Sequence, residues 1–432
     1  MLGTTVALGL GSNLGNSLEY LRSALSAIKQ LHDVAVLKVS SIYESDALTP
    51  DKAPADWNRK FLNAVVMVEV AGEPDPVAWL KKFKKIESDI GRKAGEVWAP
   101  REIDIDILHW SRDPFHSAEL TIPHLRLCER PFALLPLLEV WPEARKKLSV
   151  PDWAKPWAAD LPYNTKISEM VWPRIVGILN ITPDSFSDGG QWLNQEAVET
   201  QLQKFLSHNV EVVDVGAEST RPGAATVSPQ EELNRLTWIF DILKSSPLNV
   251  SLDCRRGEVA EVITAKYKVD YLNDVSGFDS PLMQKLLKDS GKKAFVMHSL
   301  GIPPSKDKVL SQDKNPFHEL TTWWNSKREQ LFNLGVGDQQ IIFDPGIGFG
   351  KTAAQSFFLL KHLEHFAEIK NEIMIGHSRK SFLSMLSKRP AAERDAETAL
   401  VTQNLNQAFV QYLRVHDPES QVAALRSRGL LC

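Results

Sequence analysis

The sequence predicts two folds in series. Residues 1–160 read as an α+β sandwich of ferredoxin-like type, and residues 174–432 as an α/β TIM-type (β/α)8 barrel, with a linker at 161–173. Three observations predict this. A chain of 432 residues has room for two or three domains. Its first part runs β-α-β-β-α-β, whereas its second repeats a strand–helix unit eight times. Between them Pro151, Pro156, Pro162 and Pro173 break regular patterns, and Trp153, Trp157 and Trp172 supply bulky anchors.

Each element has its own signal. Val6-Ala7-Leu8 is a strand that runs into a glycine-rich turn, and Leu18, Leu21, Leu25 and Ile28 mark one face of a helix. Val34 to Ile42 and Phe61 to Val70 read as strands. Pro76 to Ile90 is a second helix with proline at a permitted early position. Ile103, Ile105 and Ile107 alternate with Glu102, Asp104 and Asp106, as in a half-buried strand. The barrel strands are Ile175–Leu179, Val210–Val215, Val250–Leu252, Tyr271–Leu272, Ala294–Met297, Ile341–Phe343, Ile373–Ile375 and Tyr412–Leu413. A polar residue closely follows each one: Asn180, Glu218, Asp253, Asn273, His298, Asp344, Ser378 and His416. A doubly wound open sheet is the competing architecture. Only a barrel gathers all eight strand ends on the face where active sites form.

Composition excludes several classes. With 43% hydrophobic and 24% charged residues the chain is globular rather than disordered. Fifty basic residues against 54 acidic ones, with no basic block, argue against nucleic acid as a partner. Cys128, Cys254 and Cys432 are scattered and form no C-x-x-C, which argues against a zinc cluster and for a reducing, cytoplasmic setting. The first residues lack a basic signal region, and no apolar run approaches the ~20 residues that a membrane span requires.

Asp104 and Asp106 lie two apart on a strand and so share a face. A bare D-x-D reads as solvated surface, but Arg92 and Arg101 nearby turn it toward magnesium and phosphate. Gly9-Leu10-Gly11-Ser12-Asn13-Leu14-Gly15 is one residue too long for a dinucleotide fingerprint and reads as a strand-to-helix turn. His124 after Pro123 reads, by itself, as structural.

Together these residues resemble the 6-hydroxymethyl-7,8-dihydropterin pyrophosphokinases. The matching pieces are Leu8–Asn16, Phe61–Val65, Glu87 to Arg92, Pro100–Leu108 and Pro123–Phe132, in the expected order. The resemblance implies pyrophosphate transfer from ATP, a substrate, to the pterin hydroxymethyl group. Asp104 and Asp106 would hold Mg2+, and Arg92, Arg101, His124 and Arg130 would contact ATP. Of these, Arg92, Arg101, Asp104 and Asp106 would be catalytic. Phe61 and Phe132 would sandwich the pterin, with Asn63 on its polar edge. The family's second arginine, two places after Arg92, is here Ala94.

In the second part, Asp344 to Thr352 looks like a phosphate loop, but Pro345 stands where the first glycine is required. Arg221, Arg379, Lys380, Arg414 and His416 fall on loops or strand ends as anion-binding candidates, and Thr182 to Gly190 is a long polar loop. This part resembles dihydropteroate synthase through Gly177–Gly190, Asp214–Ala224, Asn273–Gly277, Asp344–Lys351, Ser378–Phe382 and Arg414–Asp417. The resemblance implies that Asp253, Asn273, Asp344 and Lys380 grip the pterin with Phe349 near its ring. Asn180 would bind Mg2+, and Arg221, Arg414 and His416 the pyrophosphate. Thr220, Pro222 and Ser381 would form the 4-aminobenzoate site. Lys380 and Arg414 would be catalytic, and Asp184 would assist loop order or proton transfer. It also implies a homodimer through the barrel. Cys254 replaces a frequent threonine, and His377 another residue.

The leading expectation is therefore one enzyme for two successive steps of folate biosynthesis, taking ATP, hydroxymethyl-dihydropterin and 4-aminobenzoate. A pterin-binding methyltransferase on the same barrel is one alternative, disfavoured by the pyrophosphate-binding set. A regulatory nucleotide sensor in the first part is the other, disfavoured by Asp104, Asp106, Arg92 and Arg101.

Overall fold

The computed structural model describes residues 3–73, 75–93, 95, 98–155, 161–181, 195–218, 227–305 and 307–430. Ala94, Pro156, Trp157, the 182–190 loop with Asp184, and Thr220, Arg221 and Pro222 lie outside the described residues. The chain divides into two compact units. One is Met1–Trp172 with Asn406–Ala408 and Ala423–Cys432; the other is Pro173–Leu405 with Phe409–Val422.

The first unit is built on strands β1 (Thr4–Ser12), β2 (Val34–Val39), β3 (Tyr43–Ser45), β4 (Phe61–Val70) and β5 (Asp104–Trp110). Helices α1 (Ser17–Gln30) and α2 (Pro76–Ile90) connect them. A two-strand ribbon, β6 (Phe115–His116) and β7 (Thr121–Ile122), precedes α3 (Pro131–Val140), and β8 (Lys166–Ile167) pairs with β3. The sheet order is β5-β1-β4-β3-β8 with β2 also on β4. The pairs among β1 to β5 are all antiparallel, as the ferredoxin-like arrangement requires. Both main helices begin as their sequences dictate. Asn16 caps α1 by accepting from Glu19 N, Asp75 caps α2 by accepting from Ala78 N, and Pro76 stands at the start of α2.

Two details differ from the sequence expectation. The strand expected over 34–42 ends at Val39, where the Ser40 hydroxyl takes a ladder position by accepting from Val65 N at 2.9 Å, and the next strand, β3, begins only at Tyr43. The glycine-rich turn is not a turn at Gly9 and Gly11. β1 continues through both, paired with β4 and β5, and the chain turns only after Ser12.

The second unit carries eight parallel strands: β9 (Arg174–Asn180), β10 (Val210–Gly216), β11 (Asn249–Asp253), β12 (Tyr271–Asp274), β13 (Lys293–Met297), β14 (Ile341–Asp344), β15 (Met374–Ile375) and β16 (Tyr412–Val415). Each is followed by a helix: α4 (Gln195–Ser207), α5 (Pro229–Leu243), α6 (Gly257–Lys266), α7 (Pro281–Ser290), α8 (Pro316–Asn333), α9 (Ala353–Lys361), α10 (Asp395–Gln403) and α11 (Pro418–Leu430). The order β14-β13-β12-β11-β10-β9-β16-β15 is closed by a parallel bridge from Phe343 to Ile373. The barrel is thus the architecture, not the open sheet.

Strand periodicity explains the barrel's chemistry. Val176, Val212, Phe295, Ile342, Met374 and Tyr412 fill one apolar layer inside, with Tyr271 stacked on Phe295 at 5.3 Å. Two residues further along the same strands come Asp214, Asn273, Asp344, Gly376 and Arg414. The period of two places them inward again, one layer nearer the carboxyl ends. An apolar plug therefore floors a polar site.

Candidate active sites

In the first unit the glycines of β1 make the room. Gly11 pairs with Asn63 on one side and Asp104 on the other, and Gly9 pairs with Val65 and Asp106. Cross-strand neighbours share a face, so two side-chain-free positions lie between the Asp pair and Asn63. A methyl group at Gly9 would come within 2.9 Å of Leu108 Cδ1. The far end of this face is covered by α3 through Leu134, Leu137 and Leu138, packed on Ala7, Val65 and Leu108. The uncovered end is a cavity of about 350 Å³.

That cavity brings together Phe61, Asn63, Arg101, Asp104, Asp106 and His124, together with Arg130 and Phe132. Arg92 reaches the same place by donating to Asp104 Oδ1 at 2.6 Å, and Arg101 donates to Asp104 Oδ2 at 2.9 Å. Asn13 fixes the Arg101 backbone by accepting from its N–H at 2.9 Å. Asn63 donates to Ser45 Oγ at 3.1 Å, which orients its amide. Burial works to raise the Asp104 carboxyl, but Lys84, Arg92 and Arg101 hold it down at about 2. Burial lowers the His124 imidazole, against the pull of Asp106. Arg130 Nε is buried without a hydrogen-bond partner among the described residues, a donor suited to an anion.

In the barrel a cavity of about 500 Å³ opens at the carboxyl ends of the strands. Asn180, Asp253, Phe349, Lys380, Ser381, Arg414 and His416 line it. Asn273 and Asp344 stand behind this lining. Arg414 donates to Asp214 at 2.6 Å and to Asp253 at 2.7 Å, and Asn273 donates to Asp214 at 3.0 Å. Burial and the neighbouring Asp214 push the Asp253 carboxyl up to about 7, against Arg414. Lys380 donates to Ile347 O at 2.5 Å and sits 4.5 Å over the Phe349 ring. Burial draws its ammonium down to about 8, while Asp344 supports it. Asp344 accepts from Gly346 N at 2.7 Å and so shapes the loop that carries Phe349. Ser378 Oγ and His416 Nδ1 are 3.0 Å apart.

Residues 7–142 match the family described as 7,8-dihydro-6-hydroxymethylpterin-pyrophosphokinase, and residues 176–416 match the family described as pterin binding enzyme. A folate synthesis bifunctional protein of Chlamydia trachomatis serovar D is 35% identical over 97% of this chain and 96% of its own length. The chain belongs to the folate synthesis bifunctional protein family. A plant member, from Arabidopsis thaliana, is 30% identical over 98% of this chain and 94% of its own. Among solved structures, the dihydropteroate synthase of Anaplasma phagocytophilum, with bound 6-hydroxymethylpterin-monophosphate, is 33% identical. It covers 61% of this chain and 100% of its own, with a TM-score of 0.53. The dihydropteroate synthase of Yersinia pestis, in complex with a sulfonamide drug, is 30% identical over 59% of this chain and 92% of its own, with a TM-score of 0.54.

In this member of the family, three further residues of the two sites were given no role from the sequence. Lys84 donates to Glu87 at 2.7 Å, to Asp104 at 3.2 Å and to Asp106 at 3.3 Å. A lysine on an amphipathic helix reads as solvated surface. Asp214 sits inside an apolar strand run at the head of the Asp214–Ala224 motif, and the period of two turns it inward. Lys351 donates to Phe349 O at 2.9 Å and lies 3.0 Å from His298 Nδ1. It closes the Asp344–Lys351 stretch, where the likeness to a phosphate loop fails at Pro345.

Proposed function

We propose that the first unit transfers pyrophosphate from ATP to 6-hydroxymethyl-7,8-dihydropterin. The barrel then condenses the resulting ester with 4-aminobenzoate, giving 7,8-dihydropteroate and pyrophosphate. One observation carries this reading: each unit, matched to its own pterin family, holds a cavity in which aromatic rings and hydrogen-bonding groups for a flat heterocycle lie beside cations for phosphate.

In the first site Phe61 and Phe132 stack on the pterin and Asn63 reads its polar edge. Arg92, Arg101, His124 and Arg130 hold the ATP phosphates and spread their charge. The carboxylates of Asp104 and Asp106 are hard oxygen donors on one face, a set that suits Mg2+. When bound, the metal neutralises charge on the transferred group. In the barrel, Asp253 and Lys380 with Phe349 hold the pterin, while Asn273 and Asp344 set Arg414 and the loop in place. Arg414 and His416 receive the departing pyrophosphate, and Asn180 would hold the Mg2+ that would add positive charge beside it. The electron-rich pterin supports positive charge at its methylene, which the neutral amine of 4-aminobenzoate attacks. No protein nucleophile is needed. Ser381 meets the 4-aminobenzoate end, and Thr220, Arg221 and Pro222 keep the roles that the resemblance gives them.

The free thiols of Cys128 and Cys254 fit a reducing compartment such as the cytoplasm, and among the described residues no helix is long and apolar enough to cross a membrane. A homodimer through the barrel unit, as the resemblance implies, would find exposed apolar side chains there in Met385, Leu386 and Leu400.

The test supplies ATP, Mg2+, hydroxymethyl-dihydropterin and 4-aminobenzoate and follows AMP and dihydropteroate. Asp104→Ala is expected to cut AMP formation by at least 100-fold and to leave synthesis from the preformed ester intact. Lys380→Ala is expected to do the reverse. A single change that abolishes both half-reactions in a folded protein refutes two self-contained sites. Failure of the unmutated chain to release AMP supports the sensor reading instead.

A further inference from the structure

The first site contains a cation of its own at the position where a metal is expected. Lys84 on α2 places its ammonium 3.2 Å from Asp104 Oδ1 and 3.3 Å from Asp106 Oδ1, bridging the two carboxylates. Its charge matters most to Asp106. Arg92 and Arg101 both bind Asp104, whereas Lys84 makes the only ion pair to Asp106 among the described residues. Glu87, Asp104 and Asp106 face Lys84, Arg92 and Arg101 in direct contact, three negative side chains against three positive ones.

Lys84 also has somewhere to go. It donates to Glu87 Oε1 at 2.7 Å, on its own helix, and the same oxygen accepts from Ile105 N at 2.5 Å. The Lys84 side chain is 39% exposed, so its outer side faces solvent, whereas that of Glu87 is 4% exposed. We infer that Lys84 is a built-in counter-ion that holds the metal-binding oxygens of Asp104 and Asp106 until nucleotide arrives, and so makes metal entry depend on ATP.

The physical basis is simple. A divalent cation and an ammonium cannot share the same two carboxylate oxygens without strong repulsion. Free metal must therefore displace Lys84 from Asp106, and Lys84 and Arg92 from Asp104 Oδ1, with no added negative charge to offset its own. A metal that arrives with the ATP phosphates brings negative charge that the displaced ammonium can face while it keeps its bond to Glu87. Lys84 is then a positioning residue that tunes metal affinity. This rests on the assignment of Mg2+ to Asp104 and Asp106 made above.

The experiment uses the full chain with Mn2+ as probe, read by electron paramagnetic resonance, with and without a non-hydrolysable ATP analogue. Only uptake abolished by Asp104→Ala is counted, which separates this site from the barrel. Without nucleotide, Lys84→Gln and Lys84→Met are expected to bind Mn2+ at least tenfold more tightly than the unmutated chain. Lys84→Arg, which keeps the charge, is expected to bind as weakly as the unmutated chain. With the analogue present, all are expected to agree within threefold. Equal nucleotide-free affinities, or weaker binding by Lys84→Gln, overturn the inference and assign Lys84 a purely structural role. That result leaves the metal assignment standing if Mn2+ still binds with the analogue. Absence of Asp104-dependent uptake under every condition overturns both.

Discussion

His109 is 2% exposed on β5, packed at 5.0 Å against Trp141, and neither ring nitrogen has a partner among the described residues. Burial first, and Lys147 second, lower its imidazole from the ordinary 6.5 to about 4. Above pH 6.5 the ring is neutral folded or unfolded, and its titration takes nothing from stability. Below 6.5 the unfolded chain takes up a proton that the folded one resists until about pH 4. The first unit should lose up to about 1.4 kcal/mol per pH unit across that window from this residue alone. His109→Leu removes both the proton uptake and the unpaired nitrogens. It should therefore flatten the pH profile of amide exchange in the first unit between pH 7 and 5 without weakening it at pH 7.5. A profile as steep as before assigns the acid sensitivity elsewhere. At this scale the sequence is uneven. Asp104 and Asp106 were legible as a pair sharing one face, because they stand two apart on a strand, with Arg92 and Arg101 near them in the sequence. His109 and Lys84 were not, because their surroundings come from the α3 region and the β5 edge, far along the chain.

The Asp344–Lys351 loop is an element whose shape depends on one missing side chain. Gly346 has φ +62°, and a Cβ built there would stand 1.9 Å from the His298 carbonyl oxygen. The left-handed conformation alone costs an alanine about 1–2 kcal/mol, and a backbone oxygen cannot move aside as a side-chain end can. Gly346→Ala is therefore expected to shift Phe349 away from Lys380. It should lower dihydropteroate formation from the preformed ester by more than 100-fold while AMP formation continues. An unchanged barrel half-reaction contradicts the loop's role. Elements were the most legible scale. Seven of the eight barrel strands contain the whole segment expected of them, because short apolar runs between helices leave little choice. In the eighth, Ile373 is a bridge beside Met374–Ile375. What failed was the stretch from Gly9 to Ser12. Glycines signal turns locally, yet here β4 and β5 pair with them on both sides, and long-range pairing outweighs local preference.

At the scale of the molecule, each compact unit contains its own described charges and rings. Arg92, Arg101, Asp104, Asp106, His124 and Arg130 fall in the first unit, and Asp253, Lys380, Arg414 and His416 in the second. If no chemical group is shared, a defect in one site can be supplied by a second molecule. The ester made by one chain is a charged small molecule that diffuses to another. Equal amounts of Asp104→Ala and Lys380→Ala, each inactive alone from ATP and hydroxymethyl-dihydropterin to dihydropteroate, should therefore restore that conversion when mixed. The restored flux should begin after a lag while the ester accumulates in solution, and the lag should shorten as preformed ester is added. Unmutated chain at the same concentration sets the ceiling. A mixture as inactive as its components, with each half-reaction still measurable separately, would mean that the chain that makes the ester does not release it to solution. Self-contained chemistry would then be only part of the account, and direct transfer within one chain would have to be added to it.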